Sequence, residues 1–282
     1  MSNEEQIAYW NGDAGRKWAQ KDNMMSAMLQ PIASDLLQHI DLSACRRMID
    51  VGCGGGSETL MLADALRDGA EIVGVDISEP LLEVAQRRLA ATPGTGRHVE
   101  FIRADAAIHP FAQSEFDGLF SRFGVMFFDD PVAAFGNLHR ALQAGAPLAF
   151  CCWQALQHNP WVAVPLSAAL QHLPAPERGD PQAPGPFAFA EAERVRSVLE
   201  SAAFSNINVH PHPVQMCWTP GQDLETSARE VINIGPVGRL LADADDATRD
   251  RVHAASLEAL APYYRDQQLC LPGAVWFITA RA

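Results

Sequence analysis

Four glycines directly follow an apolar run near residue 50, in the stretch "MIDVGCGGGSETL" (48–60). A ligand can approach main-chain amides closely only where side chains are absent, and the first turn of a following helix favours anionic groups. A strand-like run precedes the glycines and a helix-like segment follows them. The spacing therefore predicts a ligand held against bare main chain at Gly52, Gly54, Gly55 and Gly56.

Acidic residues stand at or near the ends of three strand-like runs: Asp50, Asp76 and Asp105. Asp76, at the end of "VGVD", can accept hydrogen bonds from two vicinal hydroxyls, because a carboxylate is a charge-assisted acceptor. Asp76 and Asp105 could each instead cap a helix, and Asp50 could bond turn amides. Their joint occurrence at successive strand ends favours one shared ligand.

The elements that would position these residues alternate regularly. Short β-branched or aromatic runs occupy 47–51, 71–77, 98–104, 116–122 and 147–153, and their nearly continuous apolar character suits strands covered on both faces. Helix-like segments at 57–68, 79–91 and 130–142 separate them. Alternation of this kind predicts right-handed βαβ units in a doubly wound parallel sheet, with ligands bound beyond the carboxyl ends of the strands.

The regular alternation stops after residue 153. A proline-rich connection follows, with at most one helix near 161–173, then a helix at 191–204, an extended run at 206–218 and a final strand at 273–282. We therefore expect four parts: an N-terminal helical cap (1–45), a core (46–153), a substrate-side insertion (154–189) and the C-terminal part of the sheet (190–282), with a helical insertion at about 221–265.

The spacing D-x-G-x-G-x-G places Asp50 and three glycines in one motif, whereas Ser57 stands where a nicotinamide or flavin fingerprint needs glycine or alanine. In this motif the chain resembles the class I S-adenosylmethionine (SAM) dependent methyltransferases. The resemblance covers 46–153, and 120–153 is similar to the branch that includes the ubiquinone and menaquinone C-methyltransferases.

The resemblance implies an α/β Rossmann-like fold with a mostly parallel seven-stranded sheet, and SAM as cofactor with S-adenosylhomocysteine (SAH) as product. It implies that Asp76 binds the ribose, that Asp105 bonds the adenine amino group, and that Ile77 and Ala106 flank the ring. Ser121 would lie along the methionine moiety. Family members join the last two strands by a tight hairpin, so the roughly 45 residues inserted here predict an added helical lid.

In related enzymes an N-terminal segment folds over the cofactor. Here that segment carries Trp10 and Trp18, whose electron-rich faces suit a sulfonium, and Arg16, which could pair with the cofactor carboxylate. Alternatively, the two tryptophans simply staple an amphipathic helix to the sheet.

Methyl transfer from a sulfonium mainly requires alignment of the acceptor and exclusion of water. If the acceptor must lose a proton, His158 after the fifth strand is the candidate base, although loop histidines are more often surface residues. Asn159 and Trp161 beside it, and Arg122 and Phe123 after Ser121, are candidate substrate contacts. Arg122 could equally bond loop carbonyls.

Composition restricts the classes of molecule that the protein is expected to bind. The formal charge of −13, from 21 Lys and Arg against 34 Asp and Glu, argues against nucleic acid as a substrate. No apolar stretch is long enough for a membrane span and the N-terminus is polar, so we expect a cytoplasmic protein with a small-molecule substrate. The sequence leaves open whether the chain is a monomer or a homodimer.

The remaining chemistry-bearing residues point to structural roles. Two histidines in "HPHP", His210 and His212, lack nearby cysteine or carboxylate partners, so no metal is expected. The six cysteines show no CxxC pair, and we expect reduced, structural thiols at all of them: Cys45, Cys53, Cys151, Cys152, Cys217 and Cys270.

Two other functions share the predicted sheet. A SAM-binding sensor without catalysis fits the same motif, since no residue for chemistry is certain from sequence. An NAD(P)-dependent oxidoreductase is disfavoured by Ser57 and by the lack of a Tyr-x-x-x-Lys pair. The identity of the acceptor, and whether carbon, oxygen or nitrogen is methylated, stay open.

Overall fold

A computed structural model of the chain describes residues 3–92, 98–175 and 179–282. The predicted insertion 154–189 therefore includes three residues, 176–178, that lie outside the described part. The strands are β1 (Arg47–Val51), β2 (Glu71–Asp76), β3 (His98–Arg103), β4 (Gly118–Arg122), β5 (Pro147–Trp153), β6 (Ser205–Cys217), β7 (Tyr264–Arg265) and β8 (Gln268–Arg281).

The helices alternate with the strands through the first half of the chain and then cluster. They are α1 (Asn3–Asn11), α2 (Asp13–Leu37), α3 (Ser57–Ala65), α4 (Glu79–Ala90), α5 (Pro131–Ala141), α6 (Pro160–Ala169), α7 (Ala192–Ser201), α8 (Leu224–Ile234), α9 (Pro236–Leu240) and α10 (Asp246–Leu260). No helix in the described part combines the length and apolarity needed to cross a membrane.

The strands form one sheet in the order β3-β2-β1-β4-β5-β8-β6, and β7 pairs with β8. The pairs β1–β2, β2–β3, β1–β4 and β4–β5 are parallel. The predicted doubly wound α/β fold is therefore confirmed, with seven strands along the main path. β6 carries Pro211 and Pro213, which an edge strand tolerates because one row of its amides needs no partner strand.

Local signals set the beginnings of the helices that flank the sheet. The Ser78 hydroxyl accepts a hydrogen bond from the Leu81 amide at the start of α4, and Asp130 accepts one from the Ala133 amide at the start of α5. Proline stands in the first turn of both helices. These caps place the carboxyl ends of the strands, where the candidate residues lie, next to helix beginnings.

The chain divides into two compact units, of which the first contains Met1–Trp153, Gln182–His212 and Trp276–Ala282. Its core is the central sheet, where Met48, Leu119, Phe120 and Phe150 are completely buried. Burial on both faces explains why the central residues of β1, β4 and β5 are apolar.

The second unit contains Gln154–Pro181 and Pro213–Val275. Helices α6, α8, α9 and α10 belong to it, and its apolar core comprises Ala169, Ile232, Val237, Leu241 and Val252. β6 and β8 run through both units, so each unit receives part of these two long strands.

Candidate functional site

Three of the four glycines after β1 are required by the protein's own packing. A Cβ at Gly52 would lie 2.5 Å from the Gly124 Cα, and one at Gly55 would lie 2.2 Å from an Asp22 carboxylate oxygen. A Cβ at Gly56 would lie 2.7 Å from the Phe101 ring. The protein itself therefore excludes side chains at these three positions.

Gly54 differs from the other three glycines. It has φ +52°, and a Cβ built there would meet no atom within 4 Å. Its amide donates a 2.8 Å hydrogen bond to an Asp76 carboxylate oxygen. Bare main chain thus faces open space beside the carboxylate at the end of β2.

The Asp76 carboxylate is held by main-chain donors on two sides. One oxygen accepts from Gly54, and the other accepts from the Ser78 amide at 2.8 Å. Burial raises the pKa of Asp76, and these main-chain hydrogen bonds oppose that rise. Each carboxylate oxygen can accept a second hydrogen bond, so the group can still bind a diol.

Asp50 lies beneath the glycine loop and is almost inaccessible to solvent, with 1% of its surface exposed. It accepts a 2.7 Å hydrogen bond from the Thr59 hydroxyl in α3. Burial, reinforced by the nearby Glu58 charge, raises the pKa of Asp50 to about 7, although the Thr59 hydrogen bond and the Arg122 charge oppose the rise. Asp50 therefore ties the first turn of α3 to β1.

Arg122 forms a buried ion pair with Glu58 at 2.8 Å. From sequence, an anionic substrate or loop carbonyls were the expected partners of Arg122, and Glu58 was missed. Among the described residues, the Arg122 Nε and Nη1 atoms are buried without a hydrogen-bond partner. The pair brings opposite charges close to Asp50, where the Glu58 charge raises the pKa of Asp50 and the Arg122 charge lowers it.

Ser121 is completely buried at the end of β4. Its hydroxyl donates to the Val51 carbonyl at 2.7 Å and accepts from the Gly124 amide at 3.2 Å. These two hydrogen bonds join the ends of β1 and β4, where Gly52 and Gly124 are in contact. Gly124 is a second position that sequence reasoning missed, and only its contact with Gly52 identifies it.

Phe123 adopts φ +63°, which is unusual for a side chain of this size, and it stacks in parallel on Trp153 with 4.4 Å between ring centroids. Strained backbone of this kind persists only where neighbouring structure enforces it, and it clusters at functional sites. The stacked pair lies at the adjoining ends of β4 and β5.

The residues expected around adenine lie at the ends of β2 and β3 and are contacted by the N-terminal helix. Asp105 accepts a hydrogen bond from the Asn3 side chain and another from the Ala107 amide at 2.9 Å. The Ile77 carbonyl accepts one from the Asn11 side chain at 3.0 Å. Ala106 is buried beside Asp105.

The N-terminal aromatic residues form a cluster. Trp10 packs edge-on against Trp18 and Phe127, with ring centroids 6.0 and 5.5 Å apart, and its carbonyl accepts from the Ser78 hydroxyl at 2.8 Å. The structure does not bring Arg16 into this cluster. Arg16 pairs with Asp13 on the same helix, and its side chain is 59% exposed.

The candidate base His158 and the two candidate substrate contacts Asn159 and Trp161 lie in the second unit. Asn159 is completely buried, and its side-chain oxygen accepts hydrogen bonds from the Ala274 amide and the Trp161 indole at 3.0 and 3.3 Å. Its amide nitrogen donates to the Gln154 carbonyl at 2.9 Å. Asn159 and Trp161 are thus engaged within their own unit, whereas His158 is exposed.

The expectation of six reduced cysteines is wrong at two positions. Cys217 and Cys270 form a disulfide, because β6 and β8 are neighbours in the sheet and bring the two Cα atoms within 4.1 Å. A separation of 53 residues in sequence concealed this pairing. A structural disulfide is uncommon in a reducing cytosol, so this bond is unexpected for a protein in the predicted cytoplasmic location.

The other four cysteines are free and buried. Burial raises the pKa of Cys45 to about 11 and that of Cys151 to about 12, and it also raises the pKa of Cys53 and Cys152. Because the thiolate is the reactive form, these are structural thiols.

The "HPHP" histidines pack against rings: His210 stacks on His39, and His212 stacks on Phe277 and contacts Asp35.

The chain is similar to known proteins in both sequence and fold. Residues 49–150 match the methyltransferase domain family. A demethylmenaquinone methyltransferase of Thermus thermophilus is 38% identical over 105 residues, covering 37% of this chain and 46% of that protein. An O-methyltransferase of Aspergillus nomiae is 26% identical over 143 residues, covering 51% and 60%.

A solved structure of Haemonchus contortus phosphoethanolamine N-methyltransferase 2, in complex with phosphomonomethylethanolamine and SAH, shares the fold. Its TM-score is 0.59 at 16% identity, over 97% of this chain and 58% of that one. The chain spans about half the length of the curated relatives it matches. Through residues 49–150 the chain is similar to the class I SAM-dependent methyltransferases.

Proposed function

We propose that this protein transfers a methyl group from SAM to a small-molecule acceptor. The observation that carries the proposal is Gly54: open space faces its main chain, and its amide is fixed on the Asp76 carboxylate. Gly52, Gly55 and Gly56 shape the same loop but are explained by internal packing. Gly54 is therefore the position where a ligand best accounts for the missing side chain.

The residues at the strand ends fit the parts of this cofactor. Asp76 has acceptor capacity left for a ribose diol, and Ile77 and Asp105, at the ends of the adjacent strands β2 and β3, both bond residues of α1. Trp10 and Trp18 supply electron-rich ring faces for a sulfonium. Arg16 fits less well, because it is largely exposed and pairs with Asp13.

The bound cofactor supplies an activated methyl group on sulfur, so the protein's task is to orient the acceptor and exclude water. The parallel Phe123–Trp153 pair presents an aromatic surface at the ends of β4 and β5, which favours a planar or apolar acceptor. Relatives named for demethylmenaquinone methylation and O-methylation support a small molecule and leave the methylated atom open. His158 as a base remains a prediction, and its exposure suits a surface residue equally well.

Calorimetry with SAH, followed by methyl transfer from methyl-tritiated SAM into a metabolite extract, tests the proposal. The protein should bind SAH and label an acceptor. Binding without labelling would identify a sensor, and absence of binding would refute the proposal.

Asp76→Ala removes the acceptor of two main-chain hydrogen bonds and the predicted ribose contacts. Hydrogen bonds to a charged group contribute roughly 1.5–3 kcal/mol each, so SAH affinity should fall by about 100-fold or more. Glu83→Ala, which removes an exposed carboxylate on α4, is the matched control and should change affinity by less than about twofold. Thermal unfolding of Asp76→Ala checks that the variant is folded.

A further inference from the structure

Gln6 is the buried residue of α1, with 2% of its surface exposed. Both polar atoms of its side-chain amide, Oε1 and Nε2, are buried and have no hydrogen-bond partner among the residues that the structure describes. Buried polar groups in folded proteins are almost always hydrogen-bonded, and an unpaired amide is unfavourable. The Gln6 amide therefore calls for a partner that these residues do not supply.

Helix α1 lies across the ends of β2 and β3. At its beginning Asn3 donates to Asp105, and at its end Asn11 donates to the Ile77 carbonyl and accepts from the Glu79 amide. Eight residues of helix span about 12 Å, so the helix bridges the two strand ends. At 100° per residue, Gln6 lies about 60° around the helix from Asn3. Gln6 is thus placed between the two anchored ends and near the face that carries Asn3.

Trp10, one turn after Gln6, lies about 40° from it around the helix and packs on Phe127. Gln6 therefore shares its side of α1 with Asn3, which bonds Asp105, and with Trp10, which packs on the turn after β4. The strand ends beneath this side carry Asp105 and Ile77, the residues placed at the adenine of the proposed cofactor.

We propose that Gln6 recognises the adenine base of SAM, an inference that rests on the proposed function. A primary amide carries one acceptor and two donors, and its spacing matches an adenine edge. Gln6 Oε1 accepts a hydrogen bond from the 6-amino group, and Nε2 donates to an adjacent ring nitrogen. Asp105 then has a second role, because its hydrogen bond with Asn3 holds α1 and so positions Gln6 over the base.

The test compares two ligands and three proteins by calorimetry. The ligands are SAH and an SAH analogue whose purine lacks the 6-amino group. The proteins are the unmodified chain, Gln6→Met, which keeps side-chain length but removes both polar atoms, and Gln20→Met, which makes the same change at an exposed position of α2. Thermal unfolding of each protein without ligand is measured alongside.

Gln6→Met should weaken SAH binding at least tenfold, and Gln20→Met should leave it within about twofold. Loss of the 6-amino group should weaken binding less in Gln6→Met than in the unmodified chain, because part of its partner is already missing. Melting without ligand should stay the same or rise, since the variant no longer buries an unpaired amide. A structural role would instead lower that melting temperature.

Three results separate this inference from the proposed function. If the unmodified chain binds SAH and Gln6→Met binds it equally well, Gln6 satisfies its amide with water and the inference is wrong, while the cofactor assignment stands. If Gln6→Met weakens both ligands equally, the residue does not contact the amino edge, which also overturns the inference. If the unmodified chain does not bind SAH, the proposed function itself is wrong.

Discussion

Substitution of Gly54 by alanine separates the ligand-related glycine from those required for packing. A Cβ at Gly54 meets no protein atom within 4 Å, so the folded chain suffers only the strain of placing alanine at φ +52°. That strain is about 1–2 kcal/mol. The added methyl group stands in the open space beside Asp76, where the proposed cofactor must approach the main chain. We expect the SAH dissociation constant to rise at least tenfold, or about 1.4 kcal/mol.

Gly69 offers a matched control. It has φ +77° and likewise no atom within 4 Å of a Cβ, but it lies in the turn between α3 and β2. Gly69→Ala should therefore lower the free energy of unfolding by the same amount and leave SAH affinity unchanged. Gly55→Ala serves as the opposite control, because its Cβ would lie 2.2 Å from Asp22, which is buried and paired with Arg88. Disturbing that pair should cost about 3 kcal/mol or more in stability.

Urea unfolding measures the stability of the three variants, and calorimetry measures their affinity for SAH. The reasoning fails if Gly54→Ala binds SAH within about twofold of the unmodified chain, because a ligand would then not need bare main chain at this position. It also fails if Gly69→Ala loses as much affinity as Gly54→Ala, because backbone strain alone would then explain the effect.

Two further predictions concern stability. Burial raises the pKa of Asp50 from 3.8 to about 7, so the folded state holds a proton that the unfolded chain releases as pH rises through this window. This group's contribution to stability therefore falls between about pH 4 and about pH 7, and Asp50→Asn should flatten that fall in urea unfolding; an unchanged pH slope would contradict the assignment. The Cys217–Cys270 bond closes a loop of 53 residues, so its reduction should destabilise the protein by about 4 kcal/mol. Alkylation of the denatured, unreduced protein should modify four thiols, and modification of six would show that the disulfide is absent.

The alternation of strands and helices along the first half of the chain could be read from the sequence because each signal is local. Apolar runs predicted β1 to β5, and the helix-like segments at 79–91 and 130–142 predicted α4 and α5. Strand and helix periodicities extend over a few residues, so they survive in the linear chain. The disulfide was missed because it joins residues 53 positions apart, and only the neighbouring placement of β6 and β8 brings them together.

The candidate site likewise combines features set by the local sequence with features set by tertiary packing. The sequence alone predicted that four glycines and the acidic ends of β1 and β2 stand at one edge of a parallel sheet, because the motif spacing and the alternation of strands and helices are local patterns. Only the tertiary structure decided that Gly54 alone among those four has open space around its Cβ position, that Arg122 pairs with Glu58, and that the Gln6 amide is buried. Each of these depends on side chains from segments distant in the chain, and that packing leaves no periodic trace in the sequence.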